Sequence, residues 1–158
     1  MNEQKADNKS PRVEPDFFPP GSKVCFLCLS DENTVGSLQN IFKNQGYLTS
    51  KAEDIPTAVK KLRLNQYQCI VTQDGPDFKD VLAEISSWPG NVRRDVNLII
   101  MGDQEPSFHQ QKTFIYGANS YLNINDTDRM DELIRQVIEA YDEHYQPWNQ
   151  AREALDAG

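Results

Sequence analysis

The chain has 158 residues, 38% of them hydrophobic, and a formal charge of −8. That is enough for one domain of ordinary size and too acidic for a protein that reads phosphate backbones. Residues 126–158 hold nine acids against three arginines, which suits a protein partner with a basic face and not nucleic acid. No apolar run of about 18 residues occurs, which excludes a membrane-spanning helix, and the N-terminus lacks the apolar core of a signal peptide, so a cytoplasmic location is expected.

Residues 1–22 are polar and contain Pro11, Pro15, Pro19 and Pro20. They are expected to form a flexible arm ending in a turn at Pro20-Gly21. Lys23–Leu29 is a nearly continuous apolar run, the pattern of a strand buried on both faces. A helix follows, with Val35, Leu38, Ile41 and Phe42 on one stripe and Ser30 or Asp31 as its cap. Gly46 stops it. Tyr47–Ser50 is a short second strand. Pro56 opens a second helix that turns Ile55, Ala58, Val59 and Leu62 inward, and Tyr67–Thr72 is the third strand.

After the turn at Gly75-Pro76 a third helix carries Phe78, Val81, Leu82 and Ile85 on one face and ends near Trp88-Pro89-Gly90. Arg93 and Arg94 are expected in a solvated loop. Val96–Met101 is a fourth strand, Pro106–Tyr116 a weaker helix, and Ser120–Ile124 a fifth strand. The last helix repeats Met130, Leu133, Ile134, Val137, Ile138 and Tyr141 at helical spacing. Pro147 is expected to interrupt it, leaving 146–158 as an extension in which Trp148 could pack back or anchor a partner.

Strict alternation of strands and helices implies an α/β fold: a five-stranded parallel sheet with helices on both faces, a flavodoxin-like three-layer sandwich spanning 23–145. Ligands in such folds bind at the C-terminal strand ends. Cys25 and Cys28 have redox spacing, but on a strand positions three apart point to opposite faces, so both are expected to be core residues, as is Cys69. No phosphate-binding glycine loop and no G-x-S-x-G is present. With only His109 and His144, an independent enzyme is the least expected class.

Three stretches carry a resemblance. Leu38, Phe42 and Gly46-Tyr47 match the end of a common first helix. Tyr67-Gln68-Cys69-Ile70-Val71 matches a third strand written Y-D-L-I-I. Gly117-Ala118-Asn119-Ser120-Tyr121-Leu122 matches G-A-D-D-Y-L at a fifth strand. Together, over roughly residues 23–145, they resemble the receiver domain (CheY-like) of response regulators in bacterial two-component signalling and phosphorelays.

The resemblance implies a site at the strand ends: two acids after the first strand holding Mg²⁺, a nucleophilic aspartate ending the third, a Ser or Thr ending the fourth and a Lys ending the fifth. Positioning and charge neutralisation do the chemistry there. In this chain the acid pair falls on Leu29 and Ser30, or on Ser30 and Asp31 with a shift of one. The nucleophile falls on Gln73, the hydroxyl on Gly102 and the lysine on Ile124. No lysine follows Lys112. The family's switch aromatic falls on Tyr121.

The first reading is therefore a degenerate, stand-alone pseudo-receiver: a phosphorylation-independent interaction module that meets a protein partner or a second copy through a face including Phe114, Tyr121 and the acidic last helix, needing no cofactor. Two alternatives stay open. Asp74, one residue beyond the nucleophile position, could accept a phosphoryl group, with Mg²⁺ held by Asp31, Glu32 and Asp74. Or the strand-end crevice, made apolar by Ile124 and roomy by Gly102, could hold a small ligand.

Overall fold

The computed structural model describes residues 14–156. The chain order is β1 (Lys23–Cys28), α1 (Glu32–Asn44), β2 (Tyr47–Lys51), α2 (Ile55–Leu64), β3 (Cys69–Gln73), α3 (Lys79–Ser86), α4 (Gly90–Arg94), β4 (Asn97–Gly102), α5 (Gln110–Ile115), β5 (Ser120–Asn123) and α6 (Met130–Asp156). The strands form one parallel sheet in the order β2-β1-β3-β4-β5. β1 sits between β2 and β3, so the chain reverses its direction of winding there, and the strand ends beside it are the natural ligand crevice.

The alternation of the strands sorts the core into two layers. Cys25, Leu27, Cys69, Val71, Ile99 and Met101 pack with Val35, Leu38, Phe42, Leu133, Ile134 and Val137, from α1 and α6. Val24, Phe26, Ile70, Leu98, Ile100 and Tyr121 pack with Ala58, Leu62, Val81 and Ile85, from α2 and α3. Cys25 and Cys28 fall in different layers, as strand geometry requires, and all three thiols are free and buried. Burial pushes the Cys28 thiol up to about 11, with Thr72 opposing it. A buried thiol of that kind is a hydrophobe and not a nucleophile.

Local chemistry sets the helix ends. Asp31 caps α1 by accepting from the Thr34 amide (3.2 Å) and hydroxyl (2.7 Å), and Asp54 caps α2 through the Thr57 amide (2.8 Å). Gly46, at φ +85°, makes the left-handed turn that sends the chain from α1 into β2.

Four expectations are corrected. The arm expected over 1–22 is attached to the domain where it can be described. The Asp16 carboxylate accepts from Ser50 Oγ (2.5 Å) and Tyr67 OH (2.8 Å) and pairs with Lys61 Nζ (3.1 Å), while its amide donates to Asn65 (2.8 Å). Residues 1–13 lie outside the described residues. Arg93 is no solvated loop residue: its guanidinium donates to the carbonyls of Val96 (2.8 Å) and Gly117 (2.7 Å) and to Asn119 (3.1 Å), tying β4 to the α5–β5 turn. The helix expected over Pro106–Tyr116 shrinks to α5, because Phe108 adopts φ +66° and His109 Nδ1 then caps the Lys112 amide. Finally, α6 runs through Pro147 to Asp156. The hydrogen bond lost there belongs to an exposed part of the helix, where water can take the freed carbonyl. The side chain of Trp148 lies outside what is described. Among the described residues no helix is long and apolar enough to cross a membrane.

Candidate functional site

β1, β3, β4 and β5 all end on one edge of the sheet and deliver Ser30, Gln73, Asp74, Gly102, Asn123 and Ile124 to it. Gln73 is the last residue of β3. Its carboxamide oxygen accepts from both the Ser30 amide (3.0 Å) and the Ser30 hydroxyl (2.9 Å). The two residues satisfy each other without charge, where an acidic site would need a metal to hold its carboxylates together.

Asp74 stands one step further along. Its amide donates to the Met101 carbonyl (2.7 Å), which aligns it beside β4, and its carboxylate accepts the Tyr116 hydroxyl. Burial and this contact push the Tyr116 phenol up to about 12, so it donates throughout the physiological range. Asp103 is exposed, and its carboxylate accepts from the Gln104 side-chain amide (3.2 Å). Asn123 donates to the Glu105 carbonyl (2.8 Å) and receives the Asn125 amide (2.9 Å), closing the end of β5.

Gly102 and Tyr121 define the centre of the edge. The Tyr121 ring is fully buried and its hydroxyl has no partner in hydrogen-bond geometry among the described residues. Burial raises its pKa, the backbone amides of Glu105 and Gln104 oppose that, and the charges of Asp74 and Asp103 add to it. A Cβ placed on Gly102 would stand 2.5 Å from the Tyr121 oxygen and 3.1 Å from the Asp74 Cβ. No side chain at 102 can therefore coexist with Tyr121 in this rotamer unless the ring moves.

No protein-family model matches the chain, and no curated protein matches it. Solved structures do. The N-terminal domain of a response regulator/sensory box/GGDEF three-domain protein from Carboxydothermus hydrogenoformans superposes with a TM-score of 0.59 at 17% identity, over 79% of this chain and 98% of that one. The response regulator TrrA of Thermotoga maritima, solved in complex with Mg²⁺-BeF, gives 0.54 at 18%, over 73% and 98%. The E. coli RcsC C-terminus, with its linker region and phosphoreceiver domain, gives 0.61 at 13%, over 94% and 57%. This chain has the receiver fold.

Within that fold the expected positions can be located. Ser30, Gln73, Gly102 and Ile124 do lie together at the strand ends. Ile124 donates its amide to the Gly102 carbonyl (2.8 Å) and packs its side chain against the α1–α6 layer. The proposed trio of Asp31, Glu32 and Asp74 is not assembled. Among the described residues no group of three or more His, Cys, Asp or Glu side chains could share a metal ion. Asp31 is committed to Thr34, whose hydroxyl and amide lower its pKa, and Asp74 is held by Tyr116. Tyr121 is a core residue in this conformer and cannot itself touch a partner, whereas Phe114 is 86% exposed.

Tyr116 escaped sequence reading. It lies 42 residues from Asp74, at the end of a helix with weak periodicity, and no local pattern announces a contact at that separation. The Gln73–Ser30 pair was hidden differently: each residue was identified as a departure from an acid, but their fit to each other is tertiary.

Proposed function

We propose that this chain is a receiver-fold signalling module that works through protein contacts and not through phosphoryl transfer. The observation that carries the reading is the Gln73–Ser30 pair. A carboxamide cannot become an acyl phosphate, and here its oxygen is already taken up by the residue in the acid position. Ile124 brings no cation to neutralise a phosphoryl group, and charge neutralisation is most of what such a site does. Gly102 adds a second support, because its lack of a side chain accommodates Tyr121 inside the core. The fold-mates, response regulators and a phosphoreceiver domain, support the signalling class, and the chain is not expected to act as an enzyme.

The contact surface proposed is the one around α5, where Phe114, Ile115 and Phe108 are exposed together in sequence. Exposed aromatics of this kind are favoured anchors. Exposure of the protein to acetyl phosphate with Mg²⁺, followed by intact-mass measurement, should leave the mass unchanged. A stoichiometric phosphoryl adduct would overturn the reading.

A small-ligand reading retains one specific support. A cavity of about 220 Å³ at the strand ends is lined by Leu38, Met101, Ile124 and Met130 together with Asp31 and Thr34. It is smaller than typical ligand sites of about 300–1,000 Å³. Stabilisation by a metabolite, abolished by Ile124→Lys, would favour it.

A further inference from the structure

Helix α6 is longer than the domain requires. Its first half buries Met130, Leu133, Ile134, Val137 and Ile138, and Tyr141 closes that half with a hydrogen bond to the Arg94 carbonyl (2.6 Å). Residues 142–156 continue as helix, about 22 Å further along the axis at 1.5 Å per residue. Within the extension, Arg152 pairs with Asp95 (2.5 Å), and Tyr145 is half-buried.

The apolar pattern does not stop with the core. Tyr141, His144, Trp148, Ala151 and Leu155 follow one another at steps of three and four, the spacing of a helix–helix seam. Leu155 is 81% exposed. The acids Asp142, Glu143, Glu153 and Asp156 all fall, by helical position, on the opposite side. The arc centred on the seam, roughly half the circumference, carries alanines, aromatics, Pro147 and Leu155, with no acid and with Arg152 as its one arginine.

We infer that residues 144–155 of α6 form a self-association seam, and that its occupant is the same helix of a second copy of this chain. The charge pattern selects that occupant. An acidic or phosphorylated partner would want a basic arc, and Arg152 already faces Asp95. A basic partner would want the acidic side. The seam itself is close to neutral, so two copies can meet there with their acids pointing outward. Ala151 and Ala154 let the backbones approach closely, and a helix already nucleated by the domain avoids the cost that makes short isolated helices marginal. This goes beyond the contact reading above: pairing through α6 requires neither phosphoryl uptake nor the α5 surface.

Sedimentation velocity of the full chain across a concentration series tests it. The native protein should sediment as a dimer at micromolar concentration. The double variant Ala151→Glu/Leu155→Glu should sediment as a monomer, with the domain's thermal midpoint unchanged because neither residue belongs to the core. Glu153→Lys, on the outer side, should remain dimeric. A native protein that is monomeric throughout, or a double variant that stays dimeric, would overturn the inference. Loss of the dimer on Phe114→Asp, with the double variant intact, would also overturn it and leave the α5 surface as the contact.

Discussion

Two aspartates in this domain each accept a tyrosine hydroxyl, and they meet opposite fates. Asp16 takes hydrogen bonds from Tyr67 and Ser50 and also has a cation, Lys61, which further donates to Ser50 (3.0 Å) and to the Lys51 carbonyl (3.1 Å). Burial would raise its pKa, but the three hydrogen bonds and the Lys61 charge more than offset that, and the pKa is lowered. Asp74 has Tyr116 and a neighbouring buried Tyr121, with no lysine in ion-pair contact among the described residues. A carboxylate, two hydroxyls and an ammonium do come together in this chain, but away from the strand ends. They fasten the N-terminal segment to α2 and β2, while the strand ends are left with polar pairs that close on themselves.

The largest effect should come from breaking the complete cluster. Asp16→Ala strands Lys61 beside Ser50 and Tyr67 and should cost about 2–4 kcal/mol in urea unfolding. Lys61→Met on top of it should cost much less than the two changes separately. The pH dependence has a definite sign. Asp16 has a folded-state pKa below its ordinary value, so its stabilisation is present above the unfolded-state value of about 3.9. It fades as pH falls through the lower folded value. Urea midpoints should drop below roughly pH 4 in the native protein and more shallowly in Asp16→Ala.

Next in size is the packing at the centre of the strand ends. Gly102→Ala should cost about 1–3 kcal/mol, since the new Cβ meets a fully buried ring. Tyr121→Phe alone should be close to neutral, because among the described residues nothing meets the hydroxyl in good hydrogen-bond geometry. The double variant should recover part of the Gly102→Ala loss but not all of it, because the Asp74 Cβ still stands 3.1 Å away. Full additivity, measured by the same unfolding series, would mean that glycine at 102 is not what accommodates Tyr121.

The smallest effect is expected from Gln73→Leu, about 1 kcal/mol or less, since water can replace the acceptor for the exposed Ser30 groups. A much larger loss would show that the neutral pair carries more of the fold than Asp16 does, reversing the contrast.

The sheet was readable because each strand is a short apolar run and each helix an amphipathic one, so that Val24–Cys28 announces itself by continuity and Leu133–Ile138 by helical period. The strand-end positions Gln73, Gly102 and Ile124 came from the receiver resemblance, which places its site residues at the ends of those strands. What stayed hidden depended on distant pairs or on tolerance of a local rule. Asp16 is 51 residues from Tyr67. Tyr116 gave no sign of meeting Asp74. Phe108 took a left-handed conformation that its residue type does not favour. Pro147 failed to end α6 because an exposed helix loses little at a proline when solvent takes the freed carbonyl.

The most direct test of the central contrast is a thermal-shift titration with Mg²⁺ and beryllofluoride on the native protein and on Asp74→Asn. No stabilisation of either protein is the expected result, since among the described residues no group of three or more acids, histidines or cysteines could hold Mg²⁺ and Ile124 stands where the family's lysine would be. Stabilisation of the native protein by the pair, absent in Asp74→Asn, would contradict the contact-only reading and make Asp74 a working phosphoacceptor.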